Sequence, residues 1–257
     1  MNRRFAGVFA AALAVLVVTA TVAFADSFVG TSGPDQLTGT PAPDQLYGED
    51  GDDTLDGFAG ADYIEGGPGA DQIVAGPGAD LAIGGTGNDR IDTGTGADVV
   101  YAGAGDDELL GGTGNDILLG QAGADRIFGG PGDDRLYAAL GPDFVDGGAG
   151  ADRIIASEGD STLGGGADND TIIASSGNFT VDGGSGNDSI QTGAGNDTIT
   201  GGQGVDVIYS GGGDDTIDVA DGKRDTVYCG AGADTVTFDK HDVVRNCEIK
   251  HRAASGK

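Results

Sequence analysis

Asp35, Asp44, Asp53, Asp62, Asp71, Asp80, Asp89, Asp98, Asp107, Asp116, Asp125, Asp134, Asp143 and Asp152 recur every ninth residue without interruption. The same register carries Asp170, Asp188, Asp197, Asp206 and Asp215, and between 35 and 215 only Ser161 and Phe179 occupy a ladder position without being Asp. An ionised carboxylate is a hard, acceptor-only oxygen donor. A long array of such donors suits a hard divalent cation bound many times over, not proton transfer at one centre.

The elements that must position these carboxylates follow from the residues between them. One unit reads Gly84-Gly85-Thr86-Gly87-Asn88-Asp89-Arg90-Ile91-Asp92 and another Gly111-Gly112-Thr113-Gly114-Asn115-Asp116-Ile117-Leu118-Leu119. The form is G-G-x-G-x-D-x-U-x, with U a large aliphatic such as Leu37, Leu46, Leu55, Ile64, Ile73, Ile91, Val100, Leu109, Leu118, Ile127 or Leu136; Ala82 is a small exception. Glycine lets a short turn curl until its carbonyls converge. The three residues after it alternate out, in, out, as a strand does. One inward aliphatic per strand is a thin core, sufficient only when strands from many turns stack, so a fixed short period over most of the chain predicts a solenoid.

These units resemble the RTX (repeats-in-toxin), or hemolysin-type, calcium-binding repeat, over residues 30–218. The resemblance implies an all-β fold, a right-handed parallel β-roll in which two nonapeptides make one turn. It implies Ca²⁺ held between loops eighteen residues apart on the same edge, by the Asp carboxylates and loop carbonyls. The ladder then splits by parity into an odd-numbered edge (35, 53 … 215) and an even-numbered edge (44, 62 … 206), with three odd-edge gaps spoiled by Ser161 and Phe179. What remains is room for up to about sixteen ions. The chain is expected to be largely disordered without calcium, because like charges repel, and to fold on binding it.

Composition and termini set the remaining bounds. A formal charge of −29, fifty-two glycines and no Trp argue against an ordinary globular core. The charge also excludes nucleic acid and anionic membrane surfaces as partners. Residues 1–25 read as a secretory signal peptide: basic Arg3 and Arg4, an apolar run from Val8 to Val18 too short to span a bilayer, and Ala23-Phe24-Ala25 before Asp26. The chain is therefore read as 1–25 signal, 26–218 calcium-binding β-roll, and 219–257 degenerate repeats with a basic C-terminal cap. In an exported protein Cys229 and Cys247 are expected to form a disulfide closing that cap, a metal pair or free thiols being the alternatives.

No catalytic constellation is present. His241 and His251 stand alone in the tail, and the Gly-rich triplets recur in every unit as turns, without the Lys-Ser/Thr of a phosphate loop. Nothing of domain size remains outside signal, repeats and tail. The expected function is that of a non-enzymatic, secreted bacterial module that folds on Ca²⁺ and serves a structural or interaction role outside the cell. Two other readings remain. On the sheet following the even edge, Leu81, Ile83, Val99, Tyr101, Ile117, Leu119, Tyr137, Ile155 and Ile173 line an outward apolar face, which suits a protein, a polysaccharide or self-association, or is a ladder of good strand formers. On the other sheet Thr162, Thr180, Thr198 and Thr216 form a row of the kind an ice-binding solenoid would use, though its companions are mixed.

Overall fold

The computed structural model describes residues 26–253; the leader predicted at 1–25 lies outside the described residues. The chain winds into two parallel sheets of thirteen strands each, visited alternately. The first runs from Ser27–Val29 to Val243–Arg245, the second from Gln36–Thr38 to Ile249–Arg252. Each strand pairs with the strand one full turn away: Leu46 lies beside Ile64, Leu55 beside Ile73, and Leu118 beside Leu136, eighteen residues on throughout the regular repeats. The parallel all-β solenoid that the nine-residue period predicts is the fold observed, and the described residues contain no helix.

The core is the single column of aliphatic residues that the repeat supplies. Leu46, Ile64, Val100, Leu118, Leu136 and Ile154 of the first sheet are fully buried, as are Leu55, Ile91, Leu109, Ile127, Val145 and Leu163 of the second. Each such side chain contributes about 1.5–3 kcal/mol by leaving water. No turn can bury its own aliphatics from both sides, so each depends on its neighbours, and the stability of the array is a sum over interfaces.

The sheets continue past 218. Strands Thr226–Tyr228, Thr235–Phe238, Val243–Arg245 and Ile249–Arg252 add to them, so the tail residues are further turns of the solenoid. The step lengthens to nineteen residues at Ile208 beside Val227 and shortens to seventeen at Val227 beside Val244. Because the extra residue falls in the loop between strands, the strand register survives it. Cys229 and Cys247 follow two of these strands and are disulfide-bonded, with Cα atoms 5.2 Å apart. The bond ties the penultimate turn of the first sheet to the last.

Candidate metal centres

Every turn passes through a loop whose first and sixth residues point inward. The sixth is the ladder Asp. The Oδ1 atom of each ladder carboxylate accepts a hydrogen bond from the backbone N–H of the ladder residue one turn earlier. On the even edge this runs unbroken: Asp26 N–H donates to Asp44, Asp44 to Asp62 (2.8 Å), Asp62 to Asp80 (2.7 Å), and so on to Asp206, Asp225 and finally Asp242. On the odd edge it runs from Asp35 to Asp143, is carried one step by the Ser161 hydroxyl (2.9 Å from Asp143 N), and resumes from Phe179 to Asp197, Asp215, Asp234 and Glu248. Only the link from Ser161 to Phe179 is missing.

The second carboxylate oxygen is the chemically informative one. From Asp53 to Asp234, every ladder Asp has a buried Oδ2 with no hydrogen-bond partner among the described residues. Leaving one buried polar atom unpaired costs about 1–3 kcal/mol, and more when it is charged. A ladder of them cannot persist as bare anions; it requires protons or cations.

The loops leave room for a cation at those oxygens. A Cβ placed on Gly111 would lie 2.8 Å from Asp116 Oδ2 and 2.7 Å from the carbonyl oxygen of Gly129 in the next turn. The spot that only a residue without a side chain leaves open is thus bordered by a carboxylate and a carbonyl from successive turns. Gly183 repeats the arrangement with Asp188 Oδ2 at 2.7 Å. Among the described residues no three Asp, Glu, His or Cys side chains converge on one point. Any shell must therefore combine one carboxylate per loop with backbone carbonyls, an all-oxygen set of the type hard cations such as Ca²⁺ accept.

The gaps are not equivalent. Ala75, Ala102, Ala138, Ala156, Ala174 and Val219 fill the first loop position with a buried side chain where Gly111 and Gly183 have none. Thr93, Thr192 and Ser210 go further, donating their hydroxyls to the first-position carbonyl of the following turn at 2.8, 2.7 and 2.7 Å. Phe179 is 1% exposed and packs inward in place of a carboxylate. A count that treats every Asp-bounded gap alike overlooks these plugs, which become visible only once the first loop position is known to face inward.

Two ladder members lie outside the nine-residue register. Asp225 and Asp234 are fully inside, each with an unpaired Oδ2, and accept from Asp206 and Asp215 N–H. The slip of one residue before Asp225 hides them; the Asp-Thr-Val pattern that opens both strands is the signal that finds them. A second, exposed ladder also escapes the period: the fifth-position carboxamides or carboxylates of Asn88, Asn115, Asp133, Asn178 and Asn187 each accept from the N–H one turn later, for example Asp106 N to Asn88 Oδ1 at 3.0 Å.

RTX calcium-binding nonapeptide repeat models match residues 29–57, 38–73, 74–109, 83–118, 110–145, 146–178 and 182–217, most of the chain. It belongs to the RTX calcium-binding repeat family. The repeats are therefore calcium-binding repeats. A similar solved structure is that of a hyperactive, Ca²⁺-dependent, β-helical antifreeze protein from an Antarctic bacterium. It is 20% identical, with a TM-score of 0.59, over 91% of this chain and 96% of that one. No curated protein matches the chain. On the outer face of the first sheet Ile83, Tyr101, Leu119, Tyr137, Ile155 and Ile173 stand in one registered column, with Leu81, Val99 and Ile117 in the column beside it.

Desolvation, reinforced by the neighbouring ladder carboxylates and opposed by the Oδ1 hydrogen bond, raises these acids well above the usual carboxylate range. Asp80, Asp89, Asp116, Asp152, Asp170 and Asp225 are pushed to about 7, and Asp71, Asp125 and Asp188 to about 6. An unfolded Asp titrates near 3.9, so the metal-free fold binds more protons than the unfolded chain. Its stability is greatest below about pH 4 and falls as pH rises through about 6 to 7. In EDTA, circular dichroism should show β structure at acid pH that is lost towards neutrality; a fold that strengthens with pH in EDTA would contradict the unpaired-carboxylate account. Ser161→Asp should keep the acceptor that the Ser161 hydroxyl already offers Asp143 N–H and restore a carboxylate in the odd edge. Elemental analysis of the gel-filtered protein should find about one more calcium per chain; an unchanged ratio would show that Ala138 and Ala156, not Ser161, close that gap.

Proposed function

We propose that this protein is a secreted bacterial solenoid that folds on Ca²⁺ and acts outside the cell as a structural or interaction module, without catalysis of its own. The buried, partnerless Oδ2 on every ladder Asp from Asp53 to Asp234 carries this reading, because it makes the folded state depend on a cation. Extracellular calcium modules bind with dissociation constants of about 10⁻⁴–10⁻³ M, a range that leaves a chain loose where calcium is scarce and closed where it is abundant. The Cys229–Cys247 disulfide fits an oxidising compartment, and residues 1–25 have the charge and hydropathy of a leader. The Gly-lined gaps hold the ions most readily, so fewer than the about sixteen that parity allows are expected to bind tightly. Titrating calcium into the EDTA-stripped protein at neutral pH should produce a cooperative gain of β signal by circular dichroism. Equal β signal in EDTA would sink the proposal.

A second reading draws on the Thr row. Thr162, Thr180, Thr198, Thr216 and Thr235 are consecutive partners on the second sheet, longer by one turn than the nine-residue register suggests. The similar fold of a Ca²⁺-dependent antifreeze protein gives the row a precedent. If it binds ice, the calcium-loaded protein will show thermal hysteresis that Thr198→Leu removes; freezing-point behaviour identical to a buffer control would exclude the reading.

A further inference from the structure

Outward strand positions in this solenoid almost always carry a side chain, since each stands in a column touching its neighbours one turn away. Gly164 is the exception. Among the described residues it is the only glycine at an outward position directly flanking the inward large aliphatic of a repeat, in either sheet. Its column runs Leu110, Phe128, Asp146, Gly164, Asp182, Thr200.

Neither backbone nor space demands a glycine there. Gly164 is not in the left-handed region, and a Cβ on it would come no nearer than 3.8 Å to any atom, the nearest being Val145 O, followed by Asp146 Oδ1 at 3.9 Å. A mid-strand glycine weakens its strand by about 0.5–1 kcal/mol relative to alanine, and where sterics do not explain it, close approach of a ligand is a standing reason for it.

The missing side chain opens a groove of about 380 Å³ on the outer face of the second sheet, floored by Gly164 and bordered by Phe144, Asp146, Thr162, Thr180 and Asp182. That volume lies at the low end of small-molecule sites, about 300–1,000 Å³. Its aromatic wall is held in place: Phe144 packs on Phe128 at 5.6 Å, and the Arg126 guanidinium lies 5.1 Å from the centre of the Phe144 ring. The groove spans the strands that leave loops 138–143, 156–161 and 174–179, the last two of which are where the calcium ladder is interrupted, at Ser161 and Phe179. Two departures from the repeat therefore fall on the same turns.

The geometry points to a binding site for a single neutral pyranose unit, free or at the end of a glycan. Asp146 and Asp182 offer acceptors to sugar hydroxyls, Thr162 and Thr180 offer donors and acceptors, and the Gly164 floor with the Phe144 edge receives the apolar face of the ring. An anionic ligand would meet two carboxylates on a chain of charge −29. A cationic group would compete with Arg126 for the Phe144 ring. The site uses the solenoid as a rigid support and none of the calcium ligands, so it stands or falls separately from the Oδ2 ladder.

The test uses the full chain in saturating calcium, with its fold first checked by circular dichroism. Saturation-transfer NMR is run against the methyl glycosides of glucose, galactose and mannose, N-acetylglucosamine, maltose and cellobiose. At least one should bind with a dissociation constant of roughly millimolar order, as expected for so shallow a groove. Gly164→Val should weaken it at least about tenfold by filling the floor, while leaving the calcium-induced fold intact, because a Cβ there comes no nearer than 3.8 Å to any atom and valine suits a strand. Phe144→Leu should weaken it in the same sense. Absence of binding to all six sugars, or binding indifferent to Gly164→Val, would overturn the assignment. So would stronger binding of lysine methyl ester with the same sensitivity to Gly164→Val, which would make the groove a cation site.

Discussion

Burial of carboxylate oxygens that have nothing to bond is the constraint on which the remaining structure depends. Each ladder Asp spends one oxygen on the previous turn's amide and turns the other into a space bounded by carbonyls. Hydrophobic burial alone is too thin to hold such an array closed, with one aliphatic per strand and the like charges of successive turns stacked one above another. On the function proposed above, the cation is part of the fold's energetics, and the affinity of the loops for it is inseparable from their folding.

Much of this is legible in the chain because the period is rigid. A nine-residue recurrence of Asp, with Gly before it and an aliphatic two places after, states the solenoid, the inward column and the ligand type at once. The two sheets and the eighteen-residue step are what the RTX resemblance implies, and the Cys229–Cys247 bond is the default for two cysteines in a chain read as exported. Asp225 and Asp234 lie past a one-residue slip, and a period carries no information beyond the point where it breaks. The plugs at Thr93, Thr192 and Ser210 are concealed for another reason. Their positions look like loop variation until the fold shows that the first loop residue faces the metal space and that a hydroxyl there can take the carbonyl a cation would use.

The two edges thereby acquire different characters. The even edge is one unbroken chain of carboxylates from Asp44 to Asp242. The odd edge gives way after Asp143 to alanines, a serine and a buried phenylalanine, and further on to the Thr192–Ser210–Cys229 hydroxyl series leading into the disulfide. Along that stretch packing and hydroxyl bonds replace some of the work that charge and metal do elsewhere. The second sheet's outer face changes over the same turns, from charged residues at Arg90 and Glu108 to Phe144, Gly164 and the Thr column.

The amide-to-carboxylate ladder also has a direction. Every ladder N–H except that of Ser161 finds its acceptor towards the C-terminus, and the last acceptors, Asp242 and Glu248, flank the disulfide-bonded turn. A polypeptide made from its N-terminus therefore exposes each donor before the carboxylate that will receive it has been joined to the chain. Completion of the array runs against the order of synthesis.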